Sequence, residues 1–494
     1  MAKYIFSFLV AAAFGTVSVS ALDVETTAGS LSSQVTNPAG VTELKLSGVL
    51  NADDFKFIDE SMTSLKSLDL GNVTIAATEC NVPGMTNAYP ANTIPANAFG
   101  GSKIESVVFP TSTFSLGDGA FAGSAIKSLT LPLSVANVGD GCFSGCTALE
   151  SVTVANGTLG VGVFAGCSSL ATISFSLPNT AIPANTFSNC TALSTVSGSA
   201  NITSIGSRAF ADCTSLSSFS FGRSLRSIGD EAFICSGLTA VDLSNVTALK
   251  EIGAWAFARM PQLESLKMSS SSQLSEGMVF DCPLLKEFVI SGQATEIPDY
   301  AFAKNTSLGD PGLLEGAIVR IGNHSMHGMS QVQDVSLPET LEEIGDGAMQ
   351  NMTGLRSITV NSDARPAIGK DVWAGVEQSQ VNLVVPKGQY SDYSTADQWC
   401  NFHVLDVSNS VDAVIGDQLD NLKGRFVGDE LQVSISGVEI DEIAVYDPAG
   451  MLLVSGEPVA EFVSLDMAGF QTRVFIVNAR LSDGRVASLK IAKR

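Results

Sequence analysis

Histidine is the scarcest reactive side chain in this sequence: His324, His327 and His403 are the only three in 494 residues. A general base working near neutral pH is therefore hard to supply. His324 and His327 flank Met326 in the run Asn323-His324-Ser325-Met326-His327-Gly328-Met329. Imidazoles beside thioethers suit a soft metal, but the same run also reads as a surface turn in which Met326 packs inward. Carboxylate pairs, the equipment of glycoside hydrolysis, occur at Asp53-Asp54, Asp59-Glu60 and Glu342-Glu343. Adjacent acids on a charged surface are ordinarily solvated. The sequence has no Gly-x-Ser-x-Gly elbow, no Walker loop and no His-Glu-x-x-His. Its 3 Trp and 6 Tyr are too few and too scattered to predict a stacked aromatic platform. No catalytic, cofactor or metal set is expected, and so no enzyme.

The 9 cysteines pose a separate question, because thiols can pair, ligate or simply pack. Cys146, Cys167, Cys190 and Cys213 each lie three residues after a phenylalanine, whereas Cys235 and Cys282 lie two after one. Cys142 directly precedes Phe143, where most other segments have Ala. Such a period places the thiols as small buried apolar groups stacked beneath a turn. Neighbours would be near enough to bridge, but parallel side-chain vectors make the disulfide torsion awkward, so free thiols are expected.

The period belongs to the whole chain. Ile205-Gly206-Ser207-Arg208-Ala209-Phe210 and Ile228-Gly229-Asp230-Glu231-Ala232-Phe233 are two copies of one unit, Ile-Gly/Pro-x-x-Ala-Phe. Its aromatic place recurs as Phe99, Phe121, Phe143, Phe164, Phe187, Phe210, Phe233, Phe257, Phe280 and Phe302, then as Met326, Met349 and Trp373, at intervals of 21 to 24 residues. After each comes a polar turn, a Leu and an alternating strand such as Leu149-Glu150-Ser151-Val152-Thr153-Val154. A unit this small cannot bury its own apolar residues, so stacked neighbours must supply the core. The expected fold is an α/β solenoid of leucine-rich repeats, mostly β with short turns, with one strand per 23-residue rung and a continuous phenylalanine ladder.

The outward members of the strands form a flat, uncharged hydroxyl lattice: Ser128 and Thr130, Ser151 and Thr153, Thr172 and Ser174, Thr195 and Ser197, Ser218 and Ser220. This face is the candidate ligand-contact surface for an extended protein or glycan; singly, such residues also serve to keep a β face soluble. Two stretches depart from the pattern, Ser269–Gly277 and Ser307–Gly316, and predict irregular rungs.

The chain ends carry separate signals. Residues 1–21 have a basic start, a short apolar run and small residues before Leu22, the pattern of a secretory signal peptide cut after Ala21. No later apolar run approaches the roughly 20 residues of a transmembrane helix. Residues 22–92 read as an N-terminal cap, 93–405 as the repeats, and 411–494 as a small all-β sandwich with its own alternating strands. A net charge of −23 with no basic stripe argues against nucleic acid as a partner.

From Leu22 to Leu405 the pattern resembles the BspA-like leucine-rich repeat surface proteins of Bacteroidetes. The likeness includes the entry segments Val41–Gly48 and Leu65–Leu70 and the exit Leu383–Gly388 leading to Trp399-Cys400-Asn401-Phe402. The resemblance implies a secreted or cell-surface protein that adheres to host or bacterial macromolecules, host extracellular matrix among them; carbohydrate capture for nutrient uptake is the alternative. The tail resembles a type IX secretion sorting domain in Val445-Tyr446-Asp447, Gly450, Arg473–Val477 and the basic end Lys490, Lys493 and Arg494. That implies delivery to the outer-membrane exterior, with a structural cap or a partner-binding sandwich as the alternative.

Overall fold

The computed structural model describes residues 21–78, 89–176, 180–269, 273–290 and 294–407, and in the tail 422–427, 429–435, 437–447, 451–470, 474–482 and 486–492. All of the expected signal peptide but Ala21, together with Cys80, the turn Pro448–Gly450, Arg473, Lys493 and Arg494, lies outside them. The chain forms two compact units, Met1–Val407 and Ser408–Arg494.

The first unit opens with parallel strands Ala21–Thr26, Glu43–Leu50 and Ser67–Ile75 and a helix at Ala52–Ser61. Asn51 caps that helix, its side chain accepting from the backbone of Asp53 and Asp54. Asp54 is buried, and its carboxylate accepts N–H bonds from Gly29 at 2.7 Å, Leu31 at 3.0 Å and Asn51 at 3.0 Å. Asp54 is therefore not one of the solvated acids that its sequence neighbourhood suggests. Its charge is spent on tying the entry loop to the first helix.

Each regular rung carries two strands rather than one. The front strand is the alternating one, as in Ser151–Val154 and Thr172–Phe175. A back strand of two to four residues brings in the Ile of the repeat, as in Ser227–Ile228 or Glu251–Ile252. Both stack in parallel, in separate sheets. The front sheet falls into four blocks, and the back sheet into three. Front pairing lapses between Ser106–Val108 and Ser128–Leu131, between Thr195–Ser197 and Ala240–Asp242, and between Glu287–Ile290 and Asp334–Leu337. Back pairing lapses between Thr158–Leu159 and Thr180–Ile182, and between Glu251–Ile252 and Glu296–Ile297. Wherever one sheet is interrupted, the other runs through.

The turn of the repeat forms a third ladder. In the rung of Phe121, the N–H groups of Gly119, Phe121 and Gly123 donate to the carbonyls of Asp140, Cys142 and Ser144 in the next rung, at 2.7–2.9 Å. To point these donors along the axis, two residues per turn take positive φ, two before and two after the ladder residue. Just upstream, glycine is required by close approach: a Cβ on Gly229 would lie 2.5 Å from the Ser207 nitrogen. Ser275 stands where most rungs have this Gly or a Pro, and there the back strand is missing.

The phenylalanine rings stack as expected from Phe99 to Phe257, with successive centroids 5.1–5.7 Å apart. The ladder then passes through Val279, not Phe280. Phe257 donates its N–H to Met278, and Val279 donates to Ala301. Val279 is wholly buried, while Phe280 is half-buried at the edge of the turn. This one-residue correction moves Cys282 into the same place, three after the ladder residue, as Cys146, Cys167, Cys190 and Cys213. Each of these five thiols donates to the carbonyl of a phenylalanine in the preceding rung at 3.1–3.2 Å. Burial pushes the thiols of Cys190 and Cys282 up to about 12. Among the described residues every cysteine is free.

Both departures from the pattern are irregular in the structure. Ser269–Gly277 lacks a back strand in its described part, and Ser307–Gly316 has a single 3₁₀ turn, Leu313–Glu315, in place of a front strand. At the far end, Trp373, Tyr393, Trp399 and Phe402 pack edge to face and close the stack. In the last strand Val404 points inward and Leu405 is only half-buried.

The tail is a sandwich of antiparallel strands. Lys423–Val427, Glu430–Ser434 and Phe462–Asp466 form one sheet; Ile440–Tyr446, Leu452–Gly456, Val474–Leu481 and Val486–Ala492 form the other. Leu431, Val433, Val445, Phe475 and Val477 share its core, as their alternation requires.

Candidate functional site

The hydroxyl lattice follows from strand register. Leu129, Val152 and Ile173 face the core, so Ser128 pairs with Ser151, Ser151 with Thr172, and Thr172 with Thr195. Two residues on, Thr130, Thr153, Ser174 and Ser197 form a second row. All eight are exposed or half-exposed. Ser218 and Ser220 are exposed too, in a rung whose front segment is not a strand: Phe219 and Phe221 there tilt against Phe233. Among the described residues none of the ten hydroxyls bonds within the chain. The charges lie outside the lattice. Lys66, Glu105 and Lys127 form a triad beside its first strands. Lys267 pairs with Glu287 at 3.1 Å beyond its last.

The remaining reactive residues do not assemble. His327 is half-buried and its Nδ1 lies 3.0 Å from Gln350 Oε1, with burial holding its pKa below the usual imidazole value. His324 lies against Tyr300, with ring centroids 5.2 Å apart. His403 is in the last front strand, with Nδ1 3.2 Å from Asn382 Oδ1. Among the described residues no cluster of three or more His, Cys, Asp or Glu could hold a metal. Among the described residues no helix is long and apolar enough to cross a membrane.

One arrangement was not legible in the sequence. Trp255, Tyr300 and His324 occupy the same place, two residues before the ladder residue, and with Phe280 they form a continuous aromatic strip on the turn edge. Centroids are 5.2 Å apart for Trp255 and Phe280, 5.8 Å for Trp255 and Tyr300, and 5.2 Å for Tyr300 and His324. All four rings are half-exposed. Lys304 Nζ and Arg259 Cζ lie 5.1 and 6.0 Å from the Phe280 centroid. The signal available in advance was the spacing in repeat units; counting Trp and Tyr hid it.

Stacked parallel strands with a buried aliphatic and aromatic ladder define a leucine-rich repeat solenoid. Within that class, the chain belongs to the family described as the BspA type leucine rich repeat region, which matches residues 92–198, 180–309 and 313–411. Among solved structures it is similar to a leucine-rich repeat protein from Bacteroides ovatus, with 19% identity over 80% of this chain and 94% of that one and a TM-score of 0.53; this is a likeness of fold. It is also similar to a leucine rich cell surface protein from Faecalibacterium prausnitzii, with 19% identity over 57% of this chain and 86% of that one, TM-score 0.30. A third is a leucine rich repeat protein from T. pallidum, with 25% identity over 37% and 78%, TM-score 0.29. No curated protein matches the chain.

Proposed function

We propose that this is an exported, non-catalytic surface protein that uses its front sheet to bind an extended macromolecule, a host or bacterial protein in the first place. The observation that carries the reading is the lattice of unpaired hydroxyls held in register over the strands from Ser128–Leu131 to Thr195–Ser197. Such a surface can hydrogen-bond a partner's backbone at many points, while the absence of charge within it removes the cost of stripping water from ions. Family membership supports the adhesive role, and the resemblance of residues 411–494 to a sorting domain supports delivery through the type IX machinery to the outer-membrane exterior.

The test is a panel of immobilised host-matrix and bacterial surface proteins, probed with the wild-type chain and with Thr153→Arg/Ser174→Arg. A long cation at the centre of the lattice should abolish capture of the bound partner without moving the melting transition. Equal capture by the double variant would exclude the front sheet.

A further inference from the structure

We propose that the aromatic strip on the turn edge is a second binding site, distinct from the front sheet, and that it takes a neutral pyranose oligosaccharide. The first ground is the geometry of the rings. The Trp255 indole lies face-down over Gly277: a Cβ on that glycine would strike Cε3, Cδ2 and Cζ3 together, so the side chain's absence is what lets the ring lie flat. His324 meets Gly347 by its edge instead, through Cε1 and Nδ1. Trp255 is half-exposed with one face on the backbone; Tyr300 lies beside it, tilted by 37°, and His324 stacks on Tyr300 at 22° in the following rung.

The second ground is backbone strain. Trp255, Tyr300 and His324 sit at φ of 60°, 58° and 50°. In the same place other rungs have residues suited to left-handed backbone: Asn97, Gly119, Gly141, Gly162, Asn185, Gly277 and Gly347. Bulky residues there cost on the order of 1 kcal/mol each and persist only where something compensates. Arg208 and Glu231 occupy it too, and they pair with each other. The aromatic residues have no such polar exchange; what they gain is a joined, half-exposed surface.

The chemistry of the surroundings selects the occupant. The four rings are half-exposed and pack on one another, so an apolar side chain laid on them would gain only part of the burial that a cleft gives. The apolar face of a sugar ring needs only a flat aromatic face, with polar groups alongside for its hydroxyls. Arg259 and Lys304 lie against Phe280, and Glu276 and Asp281 adjoin Gly277 and Phe280 in the chain, two acids beside two bases, which gives no preference for an acidic sugar.

The experiment uses intrinsic fluorescence. Trp373 and Trp399 are 1% and 0% exposed, so a ligand on the turn edge reports through Trp255 alone. The full chain is titrated with cello-, xylo-, manno-, chito-, malto- and laminari-hexaose, a polygalacturonate oligomer and a random hexapeptide pool, with calorimetry in parallel. At least one neutral hexasaccharide should shift the emission. Trp255→Ala should abolish binding and Tyr300→Ala weaken it about tenfold or more, both with a cooperative melting transition retained, whereas Tyr300→Phe and Thr153→Arg/Ser174→Arg should bind as wild type. Retained binding in the front-sheet variant separates this site from the one proposed above. Silence across the neutral sugars, binding confined to the polygalacturonate or the peptides, or binding undiminished by Trp255→Ala would each overturn the proposal.

Discussion

Replacing Phe210 and Phe280 by alanine should give sharply different results, although both residues fit the repeat pattern equally well. Phe210 is wholly buried, with Phe187 at 5.3 Å, Phe233 at 5.2 Å and Phe219 edge-on at 5.2 Å. Its removal opens a cavity closed on all sides, at about 3–5 kcal/mol. Phe280 is half-exposed and loses its edge contacts with Trp255 and Tyr300 and the cations of Lys304 and Arg259 over its ring, at about 1–2 kcal/mol with no cavity formed. Val279→Asp, which buries a carboxylate without a partner, should be as damaging as Phe210→Ala. Because a solenoid rung touches only its neighbours, the damage is local, and hydrogen exchange read by mass spectrometry is the suitable assay. Peptides spanning residues 183–237 should exchange roughly a hundred- to several-thousand-fold faster in Phe210→Ala. Equal acceleration around residue 280 in Phe280→Ala would show that the ladder runs through Phe280 and that the structural register is wrong.

Mass-spectrometric mapping after treatment with a thiol reagent at pH 8 should find Cys400 modified and Cys235 modified slowly, because these are exposed and half-exposed, while Cys142, Cys146, Cys167, Cys190, Cys213 and Cys282 react only on denaturation. Since burial raises Cys190 and Cys282 from 9.0 to about 12, the folded state favours their protonated forms. Their stabilisation is complete below pH 9 and drains away as pH climbs toward 12, and Cys190→Ala should blunt that alkaline loss in pH-dependent melting. Gly229→Ala should destabilise its rung by more than 1 kcal/mol on the order expected for overpacking against backbone, measured by the same exchange assay. Truncation after Ser410 should leave the solenoid's melting transition intact and, in the native host, abolish surface labelling; unchanged display would remove the sorting role from the tail.

The front strands, the ladder and the thiol period were legible because each involves a residue type recurring at one interval. The back strands were not: two residues such as Ser227-Ile228 are too short to alternate, and only the closing of the neighbouring rung makes them a sheet. The slip at Val279-Phe280 was hidden because both residues are apolar, and the choice is made by which N–H reaches Ala301. Asp54 read as one more surface acid, since the backbone donors it serves, from Gly29 and Leu31, are more than twenty positions away. The aromatic strip escaped notice for the same reason. Trp255 and Tyr300 are 45 residues apart in the chain, yet their rings meet across a glycine rung.

The staggered lapses in the two sheets have a mechanical consequence. A bricklayer offsets the joints of successive courses so that no crack can run straight through the wall, and the offset here does the same. Where the front courses part, at the turn Leu313–Glu315, the back pair Glu296–Ile297 and Arg320–Ile321 carries through; where the back courses part, near Ser275, the front pair Ser265–Met268 and Glu287–Ile290 does. Each joint can flex about its intact side without opening the stack. A solenoid under load would thus bend at set points, alternately toward one face and the other, before it tore.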